Sequence, residues 1–296
     1  MATFVFDDDI TRDDFRELTR VYFDARAPAY NSPFHQRLAD DLLRHYPPPP
    51  GGAVLDIAAG TGAVALGAAA MLSSAAASGA RPGRVVAHDL SAGMLAVASA
   101  AAAAGGYAPI FRTVQGHAED LGGLPDATYD AVYCCSALAY FVCVPAAVAA
   151  AARVTRGGGF VALQSFSGDS FVAGVAMAAA VRRVLGAAAG GRVFSLPLAA
   201  TAGPAECVAL LRGAGLERVR VVEVDLTRRV DAGELTAAYA RLSPNSFCVR
   251  LNALDARTRA AVQAAYVGII EGLRGADGCV EDRQLSFNVV GYKPRA

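Results

Sequence analysis

The sequence predicts an α/β protein built on a doubly wound, mostly parallel sheet, and three observations carry that prediction. An apolar run, V-L-D-I at 54–57, closes on an acid and opens into the small-residue turn A-A-G-T-G at 58–62, with alanine-rich helical sequence directly behind it. A second run, R-V-V-A-H-D-L at 84–90, again ends on an acid, Asp89, and again leads into a helix pattern, S-A-G-M-L-A-V-A. The breakers Pro47 to Pro50 and Gly51-Gly52 stand just before the first run, marking where the preceding segment ends and a nucleotide fold begins.

Taken in order, residues 12–25 and 35–45 repeat apolar positions at helical spacing, with the turn A-P-A-Y-N-S-P at 27–33 between them. They form an expected helical cap over residues 1–50. Residues 54–57 form the first strand, and 63–70 open the first helix of the sheet domain. The second strand, 84–90, is followed by a helix that Ser91 caps through its side-chain oxygen. Beyond a nucleotide-binding core at 51–166, the stretch 168–191 reads as a lid helix and 204–213 as the helix before a strand at 218–226. The last strand is expected at 284–293. Between those two strands lies an insertion, 231–275, read as helices at 232–242 and 255–274.

The chemistry concentrates on the first turn. Ala58, Ala59, Gly60, Thr61 and Gly62 leave no bulky side chain between the main chain and a ligand, and the next helix points its free amides at the same place. Asp89 ends the neighbouring strand where a carboxylate accepts both hydroxyls of an adenosine ribose. Two strand-end acids, Asp56 and Asp89, flank one glycine turn, and a buried charge without such a task would be costly.

On these residues the chain resembles the class I S-adenosylmethionine-dependent methyltransferases, in particular the small-molecule branch of ubiquinone and menaquinone C-methyltransferases. The matching segments are D-I-A-A-G-T-G at 56–62, with Ala58 in place of the usual first glycine, and the strand ending in Asp89 with Leu90, Ser91 and Met94 behind it. Next come Q-G-H-A-E-D-L at 115–121, where His117 replaces the more usual Asp, and the stretch P-D-A-T-Y-D-A-V-Y-C-C-S at 125–136. The glycine turn R-G-G-G-F-V at 156–161 follows. The resemblance implies a seven-stranded sheet and S-adenosyl-L-methionine as donor. It implies contacts from Asp56, Ala58, Gly60, Thr61, Gly62, Asp89, Leu90, Met94, His117, Ala118, Glu119 and Ser136, with 136–140 facing the methyl group. It also folds the cap over the cofactor mouth, which brings Tyr22, Tyr30 and His35 near the site.

Composition limits the partners. Lys plus Arg equals Asp plus Glu at 27 each, so there is no basic excess to neutralise a phosphate backbone, and nucleic acid is not an expected partner. The start, M-A-T-F-V-F-D-D-D, is acidic where a secretory leader is basic, so a cytoplasmic protein is expected. The long apolar tracts are mostly alanine and carry Arg182 and Arg183, so no membrane span is expected. Six cysteines show no C-x-x-C pair and read as reduced core residues, and no ligand cluster suggests a metal.

Methyl transfer from a sulfonium is an in-line displacement that demands positioning and water exclusion more than a fixed catalytic set. Candidate catalytic groups are therefore Tyr22, Tyr30, His35 and Tyr140, with Asp169 and Asn245 as further polar groups. Packing or a solvated surface is the plainer role for each, for Arg182 and Arg183, and for His88, whose side chain leaves its strand on the face opposite Asp89. The acceptor is expected to be a small molecule, its atom open among oxygen, nitrogen, sulfur and carbon, and a homodimer is left open. Two rivals stand beside this reading. One is a nicotinamide-dependent oxidoreductase, since Gly60-x-Gly62-x-x-Ala65 also satisfies the dinucleotide pattern. The other is a cofactor-binding protein without catalysis.

Overall fold

The computed structural model describes residues 6–194, 203–242 and 245–295. Residues 1–5, part of the start read for a leader, and 243–244, within the expected insertion, lie outside the described residues. The chain forms two compact units, one made of Met1–Tyr22, Phe166–Gly203 and Glu223–Ser286 and the other of Phe23–Ser165, Pro204–Val222 and Phe287–Ala296.

The second unit carries most of a seven-stranded sheet. In chain order the sheet strands are β1 (Ala53–Ile57), β2 (Arg84–Asp89), β3 (Phe111–Gln115), β4 (Tyr129–Cys135), β5 (Thr155–Phe166) and β6 (Glu217–Asp225). A pair of short strands, β7 (Arg228–Asp231) and β8 (Cys279–Asp282), precedes the seventh sheet strand, β9 (Leu285–Tyr292). The spatial order is β3-β2-β1-β4-β5-β9-β6, the doubly wound arrangement expected. From β3 across to β5 every pairing is parallel.

Register decides where a site can be. Val54 lies opposite Val85 on one side and Ala131 on the other, so β1, β2 and β4 end at one level and release residues 58–62, 90–91 and 136 at one edge of the sheet. This is the carboxyl edge, where the crossover connections leave a crevice.

Helices α2 (Pro33–His45), α3 (Ala63–Ala77) and α4 (Ala92–Ala104) bury Leu42, Leu43, Leu72, Leu95 and a series of alanines against Val54, Val85, Ala87 and Tyr133. Alanine is the best helix former, and its small side chain lets α3 and α4 approach the sheet closely. Helix α1 (Arg12–Arg26) precedes them, and a single 3-10 turn at Ala27–Ala29 carries the chain into α2, close to the helix bounds expected. Ser32 caps α2 by accepting from the His35 amide, with Pro33 at the first helical position, where a missing N–H is harmless. Helix α5 (Val144–Val154) precedes β5.

The first unit contains α6 (Val172–Leu185), α7 (Ala187–Val193), α9 (Ala232–Leu242), α10 (Val249–Asn252) and the 18-residue α11 (Ala256–Leu273); α8 (Pro204–Gly213) belongs to the second. The single lid helix expected over 168–191 is two helices. Gly186, at φ +82°, takes a left-handed conformation that ends α6. The insertion is also more than two helices, because β7 and β8 pair antiparallel around its base. Four-residue strands with one buried side chain in β7 carry too short an alternation to stand out in the sequence. Buried Asp282 accepts from the Val172 amide at 2.9 Å and so caps α6, while the Tyr266 hydroxyl donates to the Leu235 carbonyl at 2.7 Å and ties α11 to α9. Among the described residues no helix is long and apolar enough to cross a membrane.

The six cysteines are free thiols. Cys134, Cys207 and Cys248 are buried, as expected of core residues, but Cys143 is exposed because it stands outside α5 as its N-terminal cap.

Candidate functional site

The turn after β1 is held by its own backbone and by the end of β2. Ala59 N–H donates to the His88 carbonyl at 3.0 Å, and Gly62 N–H closes the turn onto the Ala59 carbonyl at 2.9 Å. Gly60 N–H donates to Asp89 Oδ2 at 2.8 Å, and Ser91 N–H donates to Oδ1 of the same carboxylate at 2.8 Å. Three residues of the turn have positive φ, Ala58 at +53°, Gly60 at +55° and Gly62 at +92°. Glycine takes this conformation freely, whereas Ala58 holds it at a cost of about 1 kcal/mol. A Cβ on Gly62 would fall 3.1 Å from that of Ala98, so the second glycine also lets the turn pack against α4.

The loop between α1 and α2 lies over this turn. Thr61 Oγ1 donates to Asn31 Oδ1, and the Tyr30 ring sits 3.7 Å from where a Gly60 Cβ would be. The His35 imidazole stacks on Tyr30 with ring centroids 4.6 Å apart and planes 14° apart, and its Nδ1 lies 2.8 Å from Ser32 Oγ. Together Tyr30, Asn31, Ser32, His35 and Gln36 form one wall of a cavity of about 390 Å³. Asp56, Ala58, Ala59, Gly60 and Thr61 form the opposite wall, and Cys135 and Ser136 close the end of β4. Ser136 is itself at φ +56°, with its N–H donating to the Gln164 carbonyl at 3.2 Å. A non-glycine residue held there is strained, and such strain gathers where a ligand is gripped.

The electrostatics of the cavity are set by two buried acids. Asp56 is 1% exposed, and burial pushes its carboxyl up to about 8, the Asp89 charge adding to the rise while the Ala65 amide, donating at 3.0 Å, opposes it. Asp89 is also raised, first by burial and then by Asp24, against the amides of Ser91, Gly60 and Leu90. Asp24 Oδ1 in turn accepts from the Ser91 hydroxyl at 2.5 Å and from Gly93 N–H at 2.9 Å, adding a second carboxylate at the start of α4. Burial lowers the His35 pKa, aided by Arg26 and opposed by the Tyr30 carbonyl, so the imidazole is neutral at pH 7. The Cys135 thiol is pushed well above its ordinary value by burial and by Asp56, which removes it as a nucleophile. Among the described residues no group of three or more His, Cys, Asp or Glu side chains could hold a metal ion.

Of the residues singled out in the sequence, the structure gathers Tyr30, His35, Asp56, Ala58, Gly60, Thr61 and Ser136 on one cavity, with Asp89 bonded to its wall through Gly60. Gly62 closes the turn from below. Leu90, His117, Ala118 and Glu119 lie beyond the cavity wall, around the ends of β2 and β3; His117 is exposed, and Glu119 accepts from the Val142 amide at 2.8 Å. Met94 is sealed in the core at 1% exposure, behind the Ser91 cap. Tyr140 is not among the cavity-lining residues but packs edge-on against Phe23, which also meets Tyr30 edge-on. Tyr22, Asp169, Arg182, Arg183 and Asn245 belong to the first unit, where Asp169 pairs with Arg283, Arg182 and Arg183 are solvent-exposed, and Asn245 caps a 3-10 turn. His88 is buried rather than exposed, with neither ring nitrogen hydrogen-bonded.

Asn31, Ser32, Gln36 and Asp24 were not among the expected site residues. The N-S-P start of α2 is a helix-cap signature that could have marked the first two. No sequence signal pairs Asp24 with Ser91 across 67 residues.

Residues 55–163 match the family described as methyltransferase domain. No curated protein sequence matches the chain. Among solved structures, YcgJ from Bacillus subtilis is 18% identical with a TM-score of 0.57, the match covering 88% of this chain and 100% of that one. The [4+2]-cyclase SpnF is 16% identical with a TM-score of 0.55, covering 96% of this chain and 95% of its own. A Haemonchus contortus phosphoethanolamine N-methyltransferase 2, solved with phosphomonomethylethanolamine and S-adenosylhomocysteine, is 15% identical with a TM-score of 0.57 over 97% of this chain and 61% of that one. At these identities the likeness is one of fold, shared by a cyclase and a methyltransferase alike.

Proposed function

We propose that this chain, whose residues 55–163 match the methyltransferase domain family, is a class I S-adenosylmethionine-dependent methyltransferase that transfers a methyl group from S-adenosyl-L-methionine to a small-molecule acceptor. One observation carries the reading: the 2.8 Å bond from Gly60 N–H to Asp89, which holds a ribose-accepting acid against a turn that also borders a second buried acid.

The residues present suit that donor. Asp89 takes the Gly60 amide on one oxygen and the Ser91 amide on the other, with the Leu90 amide beside them, and its remaining acceptor capacity is left for the ribose. The turn over 58–62 offers backbone without bulk to the methionine part. Asp56 on the cavity wall keeps its proton until a cationic ligand group lowers its raised pKa, and then supplies the opposing negative charge. Leu90, Met94, His117, Ala118 and Glu119 are proposed on the adenine side, Met94 acting only through packing. Ser136 is proposed beside the donor, and Tyr22, Tyr30, His35 and Tyr140 toward the acceptor. The bound donor supplies a methyl group already activated by a positively charged sulfur. The chain's own part is to orient both reactants, keep water out, and take a proton where the acceptor has one to lose.

A small acceptor is favoured by the cap segment 30–36, which supplies a wall of the cavity beside the turn. The oxidoreductase alternative finds less support, because Asp56 lines the turn where a pyrophosphate would need neutral backbone.

Calorimetric titration with S-adenosylmethionine and S-adenosylhomocysteine tests the reading, with NADH as control. Micromolar binding of both sulfur ligands is expected, weakened about a hundredfold or more in Asp89→Ala, since two charge-assisted hydrogen bonds are lost. Binding of NADH alone would overturn the assignment.

A further inference from the structure

We propose that His35 is the proton acceptor of the methyl transfer, its imidazole facing the transferring methyl from the cap wall of the cavity; the proposal rests on the donor assignment above. Three features of the structure single it out. His35 is the only histidine on the cavity, the others being His45, His88 and His117. It is fixed on three sides, by the Tyr30 ring stacked at 4.6 Å, by Ser32 Oγ 2.8 Å from Nδ1, and by its own position in the first turn of α2. It is also uncharged at neutral pH, the state a base requires.

In the proposed tautomer Nδ1 carries the proton. Ser32 Oγ already accepts from the His35 backbone N–H at 3.3 Å and has a second lone pair for Nδ1–H. In that tautomer Nε2 carries the free electron pair. This is the arrangement of a general base whose other nitrogen is held by a neighbour. Titratable and charged groups around the ring are Arg26 and Tyr30 on its own side and Asp56 and Cys135 across the cavity.

The substrate class follows from the chemistry. A base is idle for a thioether, and a thiol needs little proton handling, whereas a hydroxyl or phenol must lose its proton as it reacts. The acceptor oxygen forms its bond to the methyl carbon as the carbon–sulfur bond breaks, the electron pair of that bond staying on sulfur and the hydroxyl proton passing to Nε2. The products are an O-methyl ether, the neutral thioether and an imidazolium that returns its proton to solvent. A neutral amine attacks through its own lone pair, so among heteroatom acceptors His35 points to an alcohol or phenol.

The test needs no acceptor. With four histidines, the imidazole proton resonances of the full chain are followed by NMR from pH 5 to 9, His35 being assigned by its loss in His35→Gln. S-adenosylmethionine and S-adenosylhomocysteine differ by the methyl group and the positive charge it leaves on sulfur. A His35 that faces that sulfur titrates about half a pH unit lower with the first than with the second, and Ser32→Ala reduces the difference by freeing the ring. Equal titration with both ligands, each shown by calorimetry to be bound, would overturn the assignment of His35 and leave the donor assignment standing. Failure of both ligands to bind would overturn the donor assignment and this one with it.

Discussion

His88 offers the sharpest test of how burial has been distributed in this fold. It stands on the second strand between Ile57 and Val114, 1% exposed, with neither ring nitrogen hydrogen-bonded. Burial lowers its pKa from 6.5 to about 4, with a small rise from Asp120 and a small further fall from His117. The unfolded chain thus binds a proton below pH 6.5 that the folded chain refuses until about pH 4, so stability present at neutral pH is lost as the pH falls through that window. The full gap is worth about 3 kcal/mol, and about 2 kcal/mol of it is already lost at pH 5. Asp56 acts in the opposite sense. Its carboxyl, raised from 3.8 to about 8, keeps a proton in the fold that the unfolded chain gives up, so its contribution falls as the pH rises. The two slopes oppose each other between about pH 4 and 6.5, and the wild-type curve alone conceals both. The informative quantity is the difference between wild type and His88→Leu in urea unfolding at pH 7.5 and pH 5. The variant is expected to be more stable at pH 7.5 by about 1 to 3 kcal/mol, because two unpaired buried nitrogens are removed, and to gain about 2 kcal/mol more at pH 5. A difference that is the same at both pH values would refute the burial argument for His88.

Three further outcomes are expected. Ala58→Gly relieves the left-handed alanine of the turn after β1 and raises stability by about 1 kcal/mol, read as a higher urea midpoint, and on the proposed reading keeps S-adenosylmethionine affinity within about threefold. Asn31→Ala removes the acceptor of the Thr61 hydroxyl, frees the cap from the turn, and weakens S-adenosylmethionine binding about five- to tenfold by calorimetry. Asp24→Ala strips a carboxylate from the start of α4 and lowers the thermal midpoint by an amount equivalent to about 1 kcal/mol, while binding pH profiles move lower as Asp89 loses a charge that raises it.

The sheet was legible because its signals are local. Each strand that ends on an acid and runs into a small-residue turn states its direction and its edge within about ten residues, and 53–62 and 84–94 together fix the relation of Asp56, the glycine turn and Asp89. The cap was legible as helices, but its contact with the turn was not, since the Asn31–Thr61 bond joins positions 30 residues apart and depends on how α2 lies on the sheet. The break at Gly186 was hidden because one glycine in an alanine-rich stretch weakens a helix without declaring where it ends. The β7–β8 pair was hidden for the opposite reason: its strands are too short for a period to show. Asp24 was invisible because nothing in one α1 residue indicates that it caps a helix 67 positions away.

The placement of charge in the cavity gives the donor assignment its physical sense. Asp56 and Asp89 are both desolvated, and the Asp89 charge makes Asp56 harder still to ionise. Such a pair is expensive in a folded protein, and amides alone do not compensate it, since the Ala65 bond to Asp56 leaves the carboxyl near 8. A ligand bearing positive charge on the cavity side of Asp56 lowers that pKa and draws the proton off, so part of the cost of burying the acid is returned only when a cation arrives. A neutral ligand of the same shape leaves the cost in place. On the proposed reading the discrimination between the sulfonium donor and its neutral thioether product, which the enzyme must release to turn over, is therefore built into the acid at the end of β1, and Asp56→Asn should narrow the affinity difference between the two ligands even where both still bind.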